Sequence, residues 1–149
     1  MKESVFEFLD RINAIEDEEQ RAHALGQAAQ NQRVFDVLYY GISPNVTFRL
    51  PPGNPPYKAA EDVTTHGFFW GEVRRMYLFV EGGPNLNDAK MQTQFIMVLE
   101  FIHPKDAEIV LLMKDRKWPY DNISAEFVEK VFPGLLNMKV LPNGNRIHG

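Results

Sequence analysis

Residues 104–136 read PKDAEIVLLMKDRKWPYDNISAEFVEKVFPGLL, and this stretch decides the fold class. Pro104 suits a first helical turn, where the N–H it lacks would have no partner anyway. Five successive apolar residues follow, Ile109 to Met113. A helix that is apolar on nearly every side is a buried one. Lys114, Arg116 and Lys117 come at its C-terminal end, where the helix dipole favours cations. Ser124 caps a second helix, with Ile123 and Val128 spaced as a hydrophobic staple across the cap. Phe132-Pro133-Gly134 stops it. A buried helix, a short basic loop and a capped helix make a corner of an all-α domain.

The flanking sequence repeats the pattern. Upstream, Met91, Phe95, Val98, Leu99 and Ile102 share one helical face, begun by Asn85 or Asn87 after the breaker Gly82-Gly83-Pro84. Phe69, Val73, Met76, Tyr77 and Val80 predict a helix from Phe68 onward, with Arg74 and Arg75 on its solvent side. Near the N-terminus, Val5, Phe6, Leu9 and Ile12 predict a helix over 3–14. Asp17 and Gln20 have capping-box spacing and open a helix whose stripe, Ala22, Leu25 and Ala29, is small enough for close packing. Asn31 opens a third helix carrying Val34, Phe35, Leu38 and Tyr39, which Gly41 ends by tolerating positive φ. Strand signals are nearly absent; only Val46 to Leu50 alternates. The expectation is a compact all-α domain of about six to seven helices over 1–136, with a Gly/Asn-rich tail at 137–149 that is loosely ordered at its end.

Residues 42–67 interrupt the helices. Five of the ten prolines fall between Pro44 and Pro56, in SPNVTFRLPPGNPPYK. Proline favours extended, polyproline-like backbone there. Long loops in compact domains are often functional. One reading makes the loop a recognition segment with Phe48, Arg49, Tyr57 and Lys58 as contacts. The other makes it a crossover that anchors Val46, Phe48 and Leu50 on the core, since large aromatics bury when they can.

Composition narrows the function classes. The chain has 149 residues, a length that suits one domain, and no cysteine. Disulfides, thiolate metal sites and a cysteine nucleophile are therefore absent, which fits a reducing, cytoplasmic setting. The first 20 residues are charged throughout, without an apolar signal core. No apolar run approaches a membrane span. The four histidines (His23, His66, His103, His148) are scattered and form no HExxH, so no metal site is expected. Glycine-rich phosphate loops and a G-x-S-x-G elbow are missing, so no catalytic residue and no cofactor are assigned. The net charge is −4 and unevenly spread. Residues 1–100 hold 9 basic against 14 acidic side chains, whereas 101–149 hold 7 against 6. Any phosphate-binding patch would lie in that C-terminal third.

Two resemblances go further. VFEFLDRINAI, RVFDVLYYGISPNVTF, FIHPKDAEIVLLMKDRK and EFVEKVFPGLL occur in an order that resembles the helical N-terminal DNA-binding domain of phage-type ATP-dependent DNA ligases. LPPGNPPYK, RRMYLFVEGGPNL and KVFPGLL resemble segments of a family of small uncharacterised proteins of tailed phages. The chain has no K-x-D-G motif, so ligation is excluded as its own activity. What the ligase resemblance implies is a non-catalytic clamp on duplex DNA or in a DNA-replication complex, with Lys114, Arg116, Lys117 and Lys130 as the DNA-binding set. The proline-rich segment at 50–58 and the net acidity depart from that pattern. They suit the alternative, an adaptor that binds a host or phage protein through its acidic N-terminal half and proline-rich loop. A small enzyme with dispersed catalytic residues is a third class.

Overall fold

The helices begin where the sequence supplies a side chain for their first N–H groups. The computed structural model describes residues 3–61 and 67–148. Helix α1 (Val5–Asn13) starts at a capping box between Ser4 and Glu7. Helix α2 (Glu18–Gln27) starts at Asp17, whose carboxylate accepts from the Gln20 N–H at 2.9 Å. Helix α3 spans Arg33–Ile42 and the short α4 spans Phe69–Glu72. Asn87, the second of the two candidates, caps α5 (Asp88–Phe101) through the Lys90 N–H. His103 caps α6 (Pro104–Lys114) and Ser124 caps α7 (Ala125–Val131). The all-α expectation is met: the described residues hold seven α-helices and one two-stranded sheet.

Helix α6 is the central rod. It packs against α1, α3 and α5, and Ala107, Val110 and Met113 are fully buried. Phe95 of α5 meets Phe79 edge-on with ring centroids 5.3 Å apart, a favoured aromatic geometry. Ile123 and Val128 are both fully buried, as the staple requires.

Three expectations are corrected. The helix expected to run on through Val80 is α-helical only to Glu72 and continues as a 3-10 segment, Val73–Phe79. Its buried residues, Val73, Met76 and Phe79, recur every third position, which matches the 3-10 repeat better than the α repeat. Gly41 does not end α3 with positive φ; it lies inside the helix. A Cβ at that position would run into the Trp118 ring, so glycine is there to let the indole lie on the helix backbone.

The third correction is the tail. It forms a hairpin of β1 (Met138–Val140) and β2 (Arg146–His148), antiparallel, with Lys139 opposite Ile147. Its period-2 pattern is too short to read among so many Gly and Asn residues. It is fastened by groups far away in sequence. Tyr39 Oη donates to Met138 O at 2.8 Å, and Ser43 Oγ donates to Leu136 O at 2.7 Å. Arg146 pairs with Asp36 of α3 at 2.6 Å.

No helix of the described residues is long and apolar enough to cross a membrane. The part of the proline-rich loop at 62–66, with His66, lies outside the described residues.

Gly41→Ala tests the reading of α3. In an exposed helix interior this change gains about 1 kcal/mol. Here it is expected to cost about 1–3 kcal/mol through overpacking against Trp118. Urea unfolding measures the sign, and pairing it with Trp118→Leu is expected to restore most of the loss.

Candidate functional site

Of the four basic residues singled out in the sequence, two at the corner after α6, Lys114 and Arg116, are bonded to the protein's own groups. The helix ends in a Schellman motif: the Lys117 N–H donates to Leu112 O at 2.8 Å and the Arg116 N–H to Met113 O at 3.1 Å. Such an end needs a left-handed residue, usually glycine. Here Arg116 takes it, with φ 58°, the one non-glycine residue of positive φ among those described.

The guanidinium explains why a strained residue is kept. Arg116 Nη1 donates to Tyr40 O at 2.6 Å and Nη2 to Ser43 O at 2.7 Å. These carbonyls lie at the C-terminal end of α3, which offers uncapped acceptors and a negative dipole end. Burial lowers the Arg116 pKa, with Tyr39 opposing. Arg116 therefore pins α3 to α6.

Lys114, unlike Arg116, which keeps an exposed surface, is buried, with a side chain 1% exposed. Its ammonium donates to Pro51 O at 2.8 Å and to Asp115 Oδ1 at 2.5 Å. Asp115 in turn accepts from the Gly53 N–H at 3.2 Å. Burial pushes the Asp115 pKa up, but the Lys114 ammonium, the Gly53 N–H and the nearby Lys117 charge reverse this and hold it below the usual carboxylate value. Lys114 and Arg116, expected to face a phosphate backbone, are thus committed to the protein's own carbonyls and carboxylate.

Lys117 and Lys130 are exposed. The Lys117 side chain makes no hydrogen bond or ion pair among the described residues, and Lys130 lies 3.3 Å from Glu18 in a solvent-exposed pair of little strength. The turn between them is docked, not open. The Asn122 N–H and side-chain amide bond to Asn13 of α1, and Trp118 Nε1 donates to Ile123 O.

The same corner holds the proline-rich loop, and here both sequence readings apply to different residues. Phe48 is half-buried and forms a bridge to Val80. Arg49 donates to Pro84 O at 3.1 Å and to Leu86 O at 3.2 Å. Tyr57 packs half-buried on the core. These three anchor the loop. Lys58 is exposed, while its N–H is held by Glu100 at 2.8 Å.

Between the anchors, Pro51 to Asn54 and Pro56 stand exposed as a strap. Gly53, at φ 88°, turns the strap between its two proline pairs. Behind it, against Gln92, Phe95 and Ile96 of α5, lies a cavity of about 210 Å³ with Lys114 at its edge. Sequence reasoning missed Asp115 and Glu100, the two carboxylates that hold the strap. Each meets its partner across 42 or more positions, so no local spacing announces them.

Among the described residues no group of three His, Asp or Glu side chains is placed to hold a metal ion. The chain belongs to a family of proteins of unknown function, DUF6433, whose model matches residues 8–119. No curated protein matches the chain. The matched span includes α2 to α6, the strap and the Lys114–Arg116 corner, and ends before α7 and the hairpin.

Two predictions separate a structural corner from a ligand-binding one. Arg116→Ala is expected to cost about 2 kcal/mol in urea unfolding, from lost charged hydrogen bonds. Arg116→Gly is expected to cost about 1 kcal/mol less, because glycine accepts the left-handed backbone. Were the side chain to serve only an external phosphate, Arg116→Ala would leave the unfolding curve unchanged and Arg116→Gly would be more stable than the parent. The second concerns acid. A depressed carboxylate contributes stability that is present above its unfolded pKa and lost as pH falls through the folded one. The Gly53 amide NMR signal is therefore expected to hold steady down to the ordinary aspartate value of 3.8 and to shift below it. Asp115→Asn is expected to abolish that transition.

Proposed function

We propose that this chain is a protein-binding adaptor that presents the strap at Pro51–Pro56 to a partner with an aromatic-lined groove. One observation carries the reading: the strap is exposed, yet held in a single conformation at both ends and at its middle. Lys114 fixes Pro51, Asp115 fixes Gly53, and Glu100 fixes Lys58. A segment ordered in advance loses little conformational entropy on binding. Proline pairs in extended backbone are what aromatic grooves take up, because the prolines are already stiff. The net charge of −4 also suits a protein partner better than a polyanion. In line with the tailed-phage resemblance, the adaptor would be phage-encoded and act on a host or phage protein in the host cytoplasm, without catalysis of its own.

Duplex DNA is the second reading. It draws on the ligase-like helix order and on the exposed Lys117 and Lys130. With Lys114 and Arg116 engaged internally, it has two of its four cations left to support it.

A photo-crosslinking residue at Asn54, compared with one at the exposed Glu126 of α7, tests the adaptor reading in cells that make the protein. The expected result is one adduct of fixed mass from position 54 only, lost when Pro55 and Pro56 are both changed to Ser. No adduct above the Glu126 control would overturn it. So would salt-sensitive binding to nicked or intact duplex that disappears in Lys117→Ala with Lys130→Ala, since phosphate contacts carry a salt dependence.

A further inference from the structure

The C-terminal hairpin closes over the start of α3 and leaves a polar pocket of about 340 Å³ between them. Three arginines line it: Arg33 from α3, Arg74 from the 3-10 segment and Arg146 from β2. One carboxylate, Asp36, lines it with them. In a chain that is acidic overall, this pocket holds a surplus of two positive charges.

The group is built rather than incidental. Asp36 is 7% exposed and holds two guanidiniums at once, Arg146 Nη1 at 2.6 Å and Arg33 Nη1 at 2.9 Å. Arg146 is also stacked on aromatic rings, 4.9 Å from the Tyr39 centroid and 5.8 Å from that of Tyr40. These contacts fix the direction of its fork. Burial pushes the Tyr40 hydroxyl up to about 12, so it stays protonated and able to donate.

The donors exceed the acceptors. Arg146 Nε is buried and has no acceptor among the described residues. Arg33 Nη1 and Asp36 Oδ2 are both buried and lie 2.9 Å apart as an ion pair without the alignment of a hydrogen bond, which leaves Arg146 Nε as the donor with no acceptor of its own. Arg74 makes neither hydrogen bond nor ion pair among the described residues. Buried guanidinium N–H groups left without acceptors are costly, and an incoming oxyanion would satisfy them. Planar guanidinium forks match the oxygens of a phosphate group two at a time. The lining is mostly polar, so the pocket selects charge over apolar bulk.

We propose that this pocket, formed by Arg33, Arg74 and Arg146 with Asp36 as their spacer, binds a phosphate group, either as the free ion or as the end of a small monoester. The site shares no residue with the strap and stands whether or not the strap binds a protein. It needs the hairpin, because Arg146 is its most ordered donor.

Titration calorimetry and phosphorus NMR line broadening test it on the full chain. The probes are inorganic phosphate and phenyl phosphate, each against sodium chloride of matched ionic strength. Saturable binding is expected with a Kd on the order of 1 mM or tighter. Tighter binding of phenyl phosphate assigns the site to a monoester end, and tighter binding of the free ion assigns it to phosphate itself. Arg74→Ala removes no hydrogen bond or ion pair among the described residues and is expected to weaken binding by about tenfold, the loss of one charged hydrogen bond. Adding Arg33→Gln is expected to bring it to the chloride baseline, with circular dichroism unchanged. No binding above chloride, or binding undiminished in the folded double variant, would overturn the proposal.

Discussion

Three successive charged residues at the end of α6 hold the separate parts of this protein together. Buried Lys114 and half-buried Asp115 form a pair whose remaining hydrogen-bonding capacity goes to the strap. Arg116 turns the other way and closes the last carbonyls of α3. A buried ion pair gains little by itself, because desolvation offsets attraction. Its value here is specificity: each charge has a defined set of acceptors, so α3, α6 and the strap meet in one register. The left-handed backbone at Arg116 is the cost of that arrangement, roughly 1–2 kcal/mol. Glycine would relieve it and lose the clamp.

The same economy of side chains runs through the core. Helix α6 is apolar around nearly its whole circumference and touches three other helices, so it must be the innermost element. Trp118 then covers the backbone of α3, which only a glycine at position 41 permits. Arg21 fills a corresponding role on α2. It is buried, donates to Ile15 O and Glu16 O, and lies 4.6 Å over the Phe127 ring. Several of the protein's arginines are therefore bonded to its own carbonyls, which is why counts of basic residues overstate its free basic surface.

The helices were largely legible because each has a local cause. Caps at Asp17, Asn87 and Ser124 act over three residues, and apolar stripes repeat within one turn or two. Legibility failed where the deciding contact is distant. The 3-10 segment at Val73–Phe79 and the α repeat share most of their buried positions over one turn, so pattern alone did not distinguish them. The hairpin at the C-terminus depends on Tyr39, Ser43 and Asp36, about a hundred positions away. Of the residues chosen for binding, Lys58, Lys117 and Lys130 are exposed, while Lys114, Arg116 and Arg49 have their side chains bonded to backbone carbonyls.

What the sequence determined by itself was the class of fold, the order of its helices and the position of the one long proline-rich break. Those follow from propensity, capping and periodicity, which act within a few residues. Only the tertiary structure decided which charges face solvent and which face carbonyls. A lysine or arginine reads the same in either place, and its direction is set by whichever acceptor the fold carries to it. Lys114 meets Pro51 across 63 positions and Arg146 meets Asp36 across 110, distances over which no sequence pattern operates.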